Sequence, residues 1–197
     1  MTTTPRLILA STSLHRRMLL GRLGLAFDAL APDVDEALRE GEAPEARAGR
    51  LARAKAAAVA AQHPGAIVIG SDQVCSLAST GGTAQVLRKP GDRDTCRTQL
   101  SAMAGQMVRF DTAVAVRLDG RELLHSEPTL VQFRPVSAGQ IEHYMDREPA
   151  FDCAGGFKCE GLGVTLFESI QSRDPTALVG LPLIWLCEAL RTLGVRV

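Results

Sequence analysis

Net charge is missing from this chain. Its 197 residues carry 22 basic and 22 acidic side chains. That balance gives no electrostatic footprint for general DNA or RNA binding and none for a polybasic membrane surface. A local anion site is left open, because net charge does not say where the charges sit. Aromatic residues are also scarce, at 4%, and they are scattered along the sequence, which excludes a stacking platform for RNA. No apolar run approaches the ~18 residues of a transmembrane helix. Met1–Arg6 lacks the basic start and apolar stretch of a signal peptide. The cysteines are odd in number, Cys75, Cys96, Cys153, Cys159 and Cys187. Without a signal peptide they read as free thiols of a reducing compartment, so a cytoplasmic protein is expected. Cys153 and Cys159 have no matching second pair, which argues against a zinc site.

What remains is 46% hydrophobic and 22% charged, enough for one substantial core. Leu7–Ala10 reads as a buried strand, followed by a polar turn and an amphipathic helix from about Leu14 to Leu23. Phe27–Ala31 is a second candidate strand, and 32–44 is acidic and irregular. Pro44–Gln62 is an Ala- and Arg-rich helix. Ala66–Leu77 is a strand, and Ala78–Ala84 a turn-rich connection. A helix is expected from about Asp92 to Met103. Met107–Leu118 and Glu122–Phe133 flank Asp119-Gly120, a hairpin signal. Ser137 caps a helix to about Met145. Cys153–Gly163 is glycine-rich and irregular, Val164–Ile170 a candidate strand, and Gly180–Leu193 a helix with Pro182 in its first turn. Near the C-terminus Leu181, Leu183, Ile184 and Trp185 read as core rather than interface. The order is mixed α/β without a clear linker, and a single domain over 1–197 is expected.

Four local features could carry chemistry. Ser11-Thr12-Ser13 lies between a strand and a helix start, with Arg16 and Arg17 just behind it. This is either an ordinary N-cap or an anion site. It lacks the glycines and lysine of a Walker loop. Asp72 sits in an apolar strand, where a carboxylate is costly without partners. It either does chemistry or caps a neighbouring helix. Only Lys55, Lys89 and Lys158 are lysine; every other basic residue is arginine. The bias suggests that lysine survives where a compact ammonium is needed. Asp33, Asp35 and Glu36 form an acidic loop, either solvated or able to hold a divalent metal.

Together these residues resemble the Maf family of nucleotide pyrophosphatases. The resemblance rests on Leu9-Ala10-Ser11-Thr12-Ser13 with Arg16, Val34-Asp35-Glu36, Lys55, Gly70-Ser71-Asp72-Gln73-Val74, Lys89-Pro90, Ala154-Gly155-Gly156 and Val179-Gly180-Leu181-Pro182. It spans about Leu7 to Leu193. Ser71-Asp72-Gln73 and Phe157-Lys158-Cys159-Glu160-Gly161 look most like the branch that hydrolyses 7-methyl-GTP. The resemblance implies a Maf/ITPase-like α/β fold, with a mixed central sheet flanked by helices and two lobes around an active-site cleft. It implies cleavage of the α–β anhydride of a nucleoside triphosphate with a divalent metal (Mg or Mn), and a homodimer as one assembly. The alternatives are the same reaction on dTTP/UTP or other modified nucleotides, or a nucleotide-binding regulator of septum formation that needs no turnover.

Position by position, the resemblance makes Asp72 the proton acceptor. His15, Gln73 and Glu160 become specificity positions. Ser11, Arg16, Lys55 and Lys89 become phosphate-binding groups, and Glu36 with Asp72 the metal carboxylates. Either a second carboxylate carries the metal or Asp72 acts through a metal-bound water. Glu160 can accept two hydrogen bonds from the N1–H and 2-amino edge of guanine, which a pyrimidine lacks. Three positions depart from the family pattern. His15 replaces the Trp common in that branch and Leu14 its Pro, and Arg88 stands where a glycine often precedes Lys-Pro.

Overall fold

The computed structural model describes residues 5–78 and 84–197. The connection expected over Ala78–Ala84 falls mostly on residues outside this range. Seven strands and five α-helices are present among the described residues: β1 (Leu7–Ala10), α1 (Leu14–Gly21), β2 (Asp28–Leu30), α2 (Pro44–Ala60), β3 (Ile67–Leu77), β4 (Gln85–Leu87), α3 (Arg93–Met103), β5 (Met107–Leu118), β6 (Arg121–Phe133), α4 (Ala138–Arg147), β7 (Phe167–Gln171) and α5 (Leu183–Thr192). The fold is mixed α/β, with helices flanking one mixed sheet of order β2-β1-β3-β5-β6-β7 and β4 paired to β3. β1 runs parallel to β2 and β3, while β4 and β7 pair antiparallel to β3 and β6.

The chain divides into two compact units. One holds 1–72, 112–127 and 174–197, the other 73–111 and 128–173. The boundary falls inside β3, β5 and β6.

In the first unit, β1 and the start of β3 are apolar at every position because both faces are covered. Leu7, Leu9, Ile67 and Ile69 pack with Leu19 and Leu20 of α1 and Leu186 and Leu190 of α5. On the opposite side β3 meets α2. A Cβ at Gly70 would stand 2.3 Å from the Ala52 carbonyl oxygen and 2.5 Å from the Ala56 nitrogen. Only glycine permits that approach. Pro44 opens α2, where its missing N–H costs nothing. Asp119 and Gly120 both take positive φ, 44° and 82°, which fits the two-residue turn between β5 and β6.

In the second unit, four phenylalanines distant in sequence form one buried cluster. Phe157 stands edge-to-face with Phe110, Phe133 and Phe167, at centroid distances of 4.9 to 5.5 Å. Outside it, Arg93 reaches Glu142 and Asp146, and Arg97 reaches Glu142, tying α3 to α4. Ser137 and Gln140 form a reciprocal capping box at the start of α4.

Four sequence expectations need correction. Leu162–Leu166 is a 3₁₀ turn, and β7 begins only at Phe167. The C-terminal helix starts at Leu183 with Pro182 as its cap, because Gly180 has φ +121° and cannot enter a helix. Ile184 is 61% exposed and is not core, whereas Leu181 and Leu183 are buried. The first helix also ends earlier than expected, at Gly21, before Gly24 with φ +67°.

Candidate active site

Lys55 is the centre of the arrangement. It projects from α2, the helix brought close to β3 by Gly70, and is 7% exposed. Its ammonium lies 2.5 Å from Asp72 Oδ1 and 2.8 Å from Glu36 Oε1. Asp72 is 8% exposed and sits inside β3. It therefore pairs with a helix side chain rather than capping a helix end. Glu36 is the outer partner, with its side chain 56% exposed.

Two arginines that the sequence reading passed over hold the loop bearing Glu36. Arg47 Nη2 donates to the Glu36 carbonyl at 2.7 Å, and both Arg47 and Arg50 donate to the Ala37 carbonyl. Arg50 also grips Glu42 with two parallel bonds of 2.6 and 2.7 Å. That hydrogen bonding raises the Arg50 pKa and lowers that of Glu42. The signal in the sequence was the pair of arginines one turn apart on α2, following an acidic loop.

Ser11 and Arg16 belong to the turn between β1 and α1. Ser11 Oγ accepts from Ser13 N–H, and Ser13 Oγ caps α1 by accepting from Arg16 N–H. The N-cap reading is therefore correct, and it leaves the positive helix end facing the turn. Arg16 Nε donates to the Gly180 carbonyl at 2.9 Å. Burial pushes its guanidinium pKa down, while the charges of Asp72 and Glu36 push it up. Arg16 thus senses the same two carboxylates that Lys55 holds. The Ser71 hydroxyl, fully buried, lies 2.8 and 2.9 Å from the carbonyls of Ala113 and Gly180. Gly180 is itself fixed by a buried knot. Asp174 accepts from Thr176 N–H and from Ile184 N–H, and Leu183 N–H donates to Thr176 Oγ1. His15 follows on α1 and is half-buried.

The first unit therefore brings Glu36, Lys55 and Asp72 into contact and sets Arg16 within their field. Gln73, Lys89 and Glu160 belong to the second unit. There Gln73 is half-buried in β3, while Lys89, after β4, and Glu160 are exposed. Lys158 and Glu160 occupy a short loop after Phe157, and Cys159 Sγ lies 3.3 Å from Glu160 Oε2.

The donor set bears on a metal. Among the described residues no three or more metal-ligating side chains cluster. Two carboxylates do converge on one cationic point, the place now held by the Lys55 ammonium. A hard cation such as Mg²⁺ needs one or two protein carboxylates when phosphate oxygens and water supply the rest. The residues fit such an ion. All five cysteines are free. Burial pushes the thiols of Cys153 and Cys159 up to about 12, which leaves no candidate nucleophile there.

This geometry can be set beside known proteins. The family described as Maf-like protein matches residues 6–193. The chain is similar to a 7-methyl-GTP pyrophosphatase of Xanthomonas axonopodis pv. citri, 56% identical, covering 98% of this chain and 99% of that one. A protein of the same name from Xanthomonas oryzae pv. oryzae is 57% identical, over 96% of this chain and 97% of its own. One from Alcanivorax borkumensis is 49% identical, over 98% and 96%. A match across nearly every described element, with the Lys55–Asp72 pair and the Ser11–Arg16 turn inside it, has one meaning: the chain belongs to the Maf family.

Proposed function

We propose that this chain is a nucleoside triphosphate pyrophosphatase that hydrolyses 7-methyl-GTP to 7-methyl-GMP and diphosphate. The observation that carries the chemistry is the buried Lys55 ammonium between Asp72 and Glu36. The base preference is supported by the name shared by relatives 49 to 57% identical over nearly the whole chain.

In this reading, water attacks the α-phosphorus and a new P–O bond forms. The bond from that phosphorus to the oxygen bridging to the β-phosphate breaks, and its electron pair leaves with diphosphate. Asp72 takes one proton of the attacking water. Lys55 keeps the Asp72 carboxylate in one orientation, which sets the direction in which it accepts that proton. Arg16 uses Nε to hold Gly180, and its Nη groups are the donors offered to phosphate oxygens. Ser11 and the start of α1 add a hydroxyl and a positive helix end. Lys89 adds a further cation for the triphosphate. Glu36 and Asp72 would hold the divalent cation, Mg or Mn, which when bound neutralises phosphate charge.

Base recognition falls to His15, Gln73 and Glu160. The Glu160 carboxylate suits the N1–H and 2-amino edge of guanine, and its charge suits a base made cationic by N7-methylation. His15 offers a stacking face where an indole is usual. The substrate is a small nucleotide and the compartment the cytoplasm. A homodimer is the proposed assembly, read by light scattering.

The test is diphosphate release with Mg²⁺ or Mn²⁺ from 7-methyl-GTP, GTP, dTTP, UTP and CTP. Fastest turnover of 7-methyl-GTP is expected. Preference for a pyrimidine would keep the reaction and overturn the reading of Gln73 and Glu160. No release from any of them would replace the enzyme by a nucleotide-binding protein.

A further inference from the structure

Glu160 is exposed and stands on a short loop, yet the backbone of that loop is fixed on both sides of it. At the entry, Phe157 is locked among Phe110, Phe133 and Phe167. The next residue, Lys158, donates its N–H to the Tyr144 phenol oxygen at 3.3 Å. That phenol donates in turn to Glu148 Oε2 at 3.2 Å. Beyond Glu160, Gly163 N–H donates to the same Oε2 at 3.1 Å, while Gly161 N–H closes the loop on the Lys158 carbonyl at 3.2 Å. The glycines are dictated by contact. A Cβ on Gly161 would stand 2.1 Å from Glu148 Oε1, and one on Gly163 would stand 2.4 Å from the Lys158 carbonyl oxygen. Burial pushes the Tyr144 hydroxyl pKa upward, which keeps its proton available for Glu148.

We infer that Tyr144 and Glu148 are positioning residues for base selection: they hold the 158–163 loop so that the Glu160 carboxylate meets the base edge in one orientation. The inference rests on the reading of Glu160 as the group that recognises the base. An exposed carboxylate on a loose loop can turn to suit several bases, and it then discriminates poorly. Discrimination requires that the mismatched base leave it unpaired, which requires a fixed backbone. Neither Tyr144 nor Glu148 has to touch substrate for this.

The test is steady-state kinetics on 7-methyl-GTP and UTP. The variants are Tyr144→Phe, Glu148→Ala, Glu148→Gln, Gly161→Ala and, in parallel, Glu160→Gln. Tyr144→Phe keeps the ring and removes the shared oxygen. It and Glu148→Ala are expected to raise KM for 7-methyl-GTP about tenfold while leaving kcat within about twofold. The preference for 7-methyl-GTP over UTP should fall by the same factor. Glu148→Gln retains an amide oxygen for Gly163 N–H and should restore most of the preference. Gly161→Ala displaces the loop from its own side and should reproduce the loss.

Unchanged selectivity in Tyr144→Phe and Gly161→Ala, with altered selectivity in Glu160→Gln, overturns the inference and leaves the base-reading role of Glu160 standing. An equal fall of kcat on both substrates also overturns it, because a merely structural role has that signature. Unchanged selectivity in Glu160→Gln overturns the reading of Glu160 and the inference with it. Should Glu148→Ala fail to fold, Tyr144→Phe and Gly161→Ala decide.

Discussion

The Nζ of Lys55 lies 2.5 Å from Oδ1 of Asp72, and both side chains are buried. A charge pair so placed couples stability to chemistry. Removing either partner leaves the other to face a medium poorer than water in compensating dipoles.

Asp72→Asn keeps the shape and removes the proton acceptor. Diphosphate release is expected to fall roughly a thousandfold, the usual worth of a placed general base. Nucleotide binding, followed by equilibrium dialysis, should persist. Turnover near that of the wild type would disprove the role given to Asp72.

Lys55→Met separates the other side of the pair. Asp72 and Glu36 then lose the ammonium between them, and urea unfolding should show a loss of about 3 kcal/mol. A variant as stable as the wild type would mean that the pair relaxes into solvent.

Gly70→Ala forces α2 away from β3, because the new methyl would meet the Ala52 carbonyl and the Ala56 nitrogen. Overpacking of this kind costs about 1–3 kcal/mol. Lys55 is the neighbour of Ala56 on α2, and Asp72 lies two residues after Gly70. The shift should therefore lower kcat as well as the urea midpoint. Loss of stability with kcat unchanged would separate the helix position from the ion pair.

Glu142 offers a test by pH. Hydrogen bonding from Arg97, then from Arg93, draws its pKa from 4.5 down to about 2. A carboxylate depressed in the folded state stabilises above its unfolded value. That contribution is lost as pH falls from 4.5 toward 2. The group is solvent-facing, so the effect is small. Glu142→Gln should lower the urea midpoint slightly at pH 6, and the difference should shrink steadily below pH 4.5. A difference that grew in acid would contradict the assignment.

Thiol chemistry should be slow. Burial pushes Cys96 up to about 11, and burial with the neighbouring Asp152 and Glu160 charges pushes Cys153 and Cys159 up to about 12. Alkylation of these three at pH 8 should proceed well below the rate of a free thiol in small peptides, read by mass spectrometry. Rapid labelling of Cys159 would show that its loop opens readily.

Much of the fold was legible because the signals are local. Leu7–Ala10 and Ile67–Ile69 are unbroken apolar runs, as strands covered on both faces must be. Asp119-Gly120 tolerates positive φ at both positions, so the hairpin declared itself. Where signals were weak the boundaries moved. β4 is only three residues long and carries no pattern of its own. Val164 is apolar and β-branched, yet it lies in the 3₁₀ turn Leu162–Leu166, ahead of the strand that starts at Phe167. Ile184 is apolar but faces solvent, since the preceding turn at Gly180 sets the phase of α5.

The candidate residues Ser11, Arg16, Glu36, Lys55 and Asp72 could be named from chain order and residue type. Their partners could not. By itself, the sequence determined most of the strands and helices, that the thiols have no disulfide framework, and which polar residues stand in costly places. Those properties depend on near neighbours along the chain. Only the tertiary structure decided that Lys55 bridges Asp72 and Glu36, that Arg16 meets the Gly180 carbonyl 164 residues away, and that Glu148 grips the loop around Glu160. Such pairings follow from which backbone segments are packed close enough to exclude water, and no periodicity within one segment encodes them.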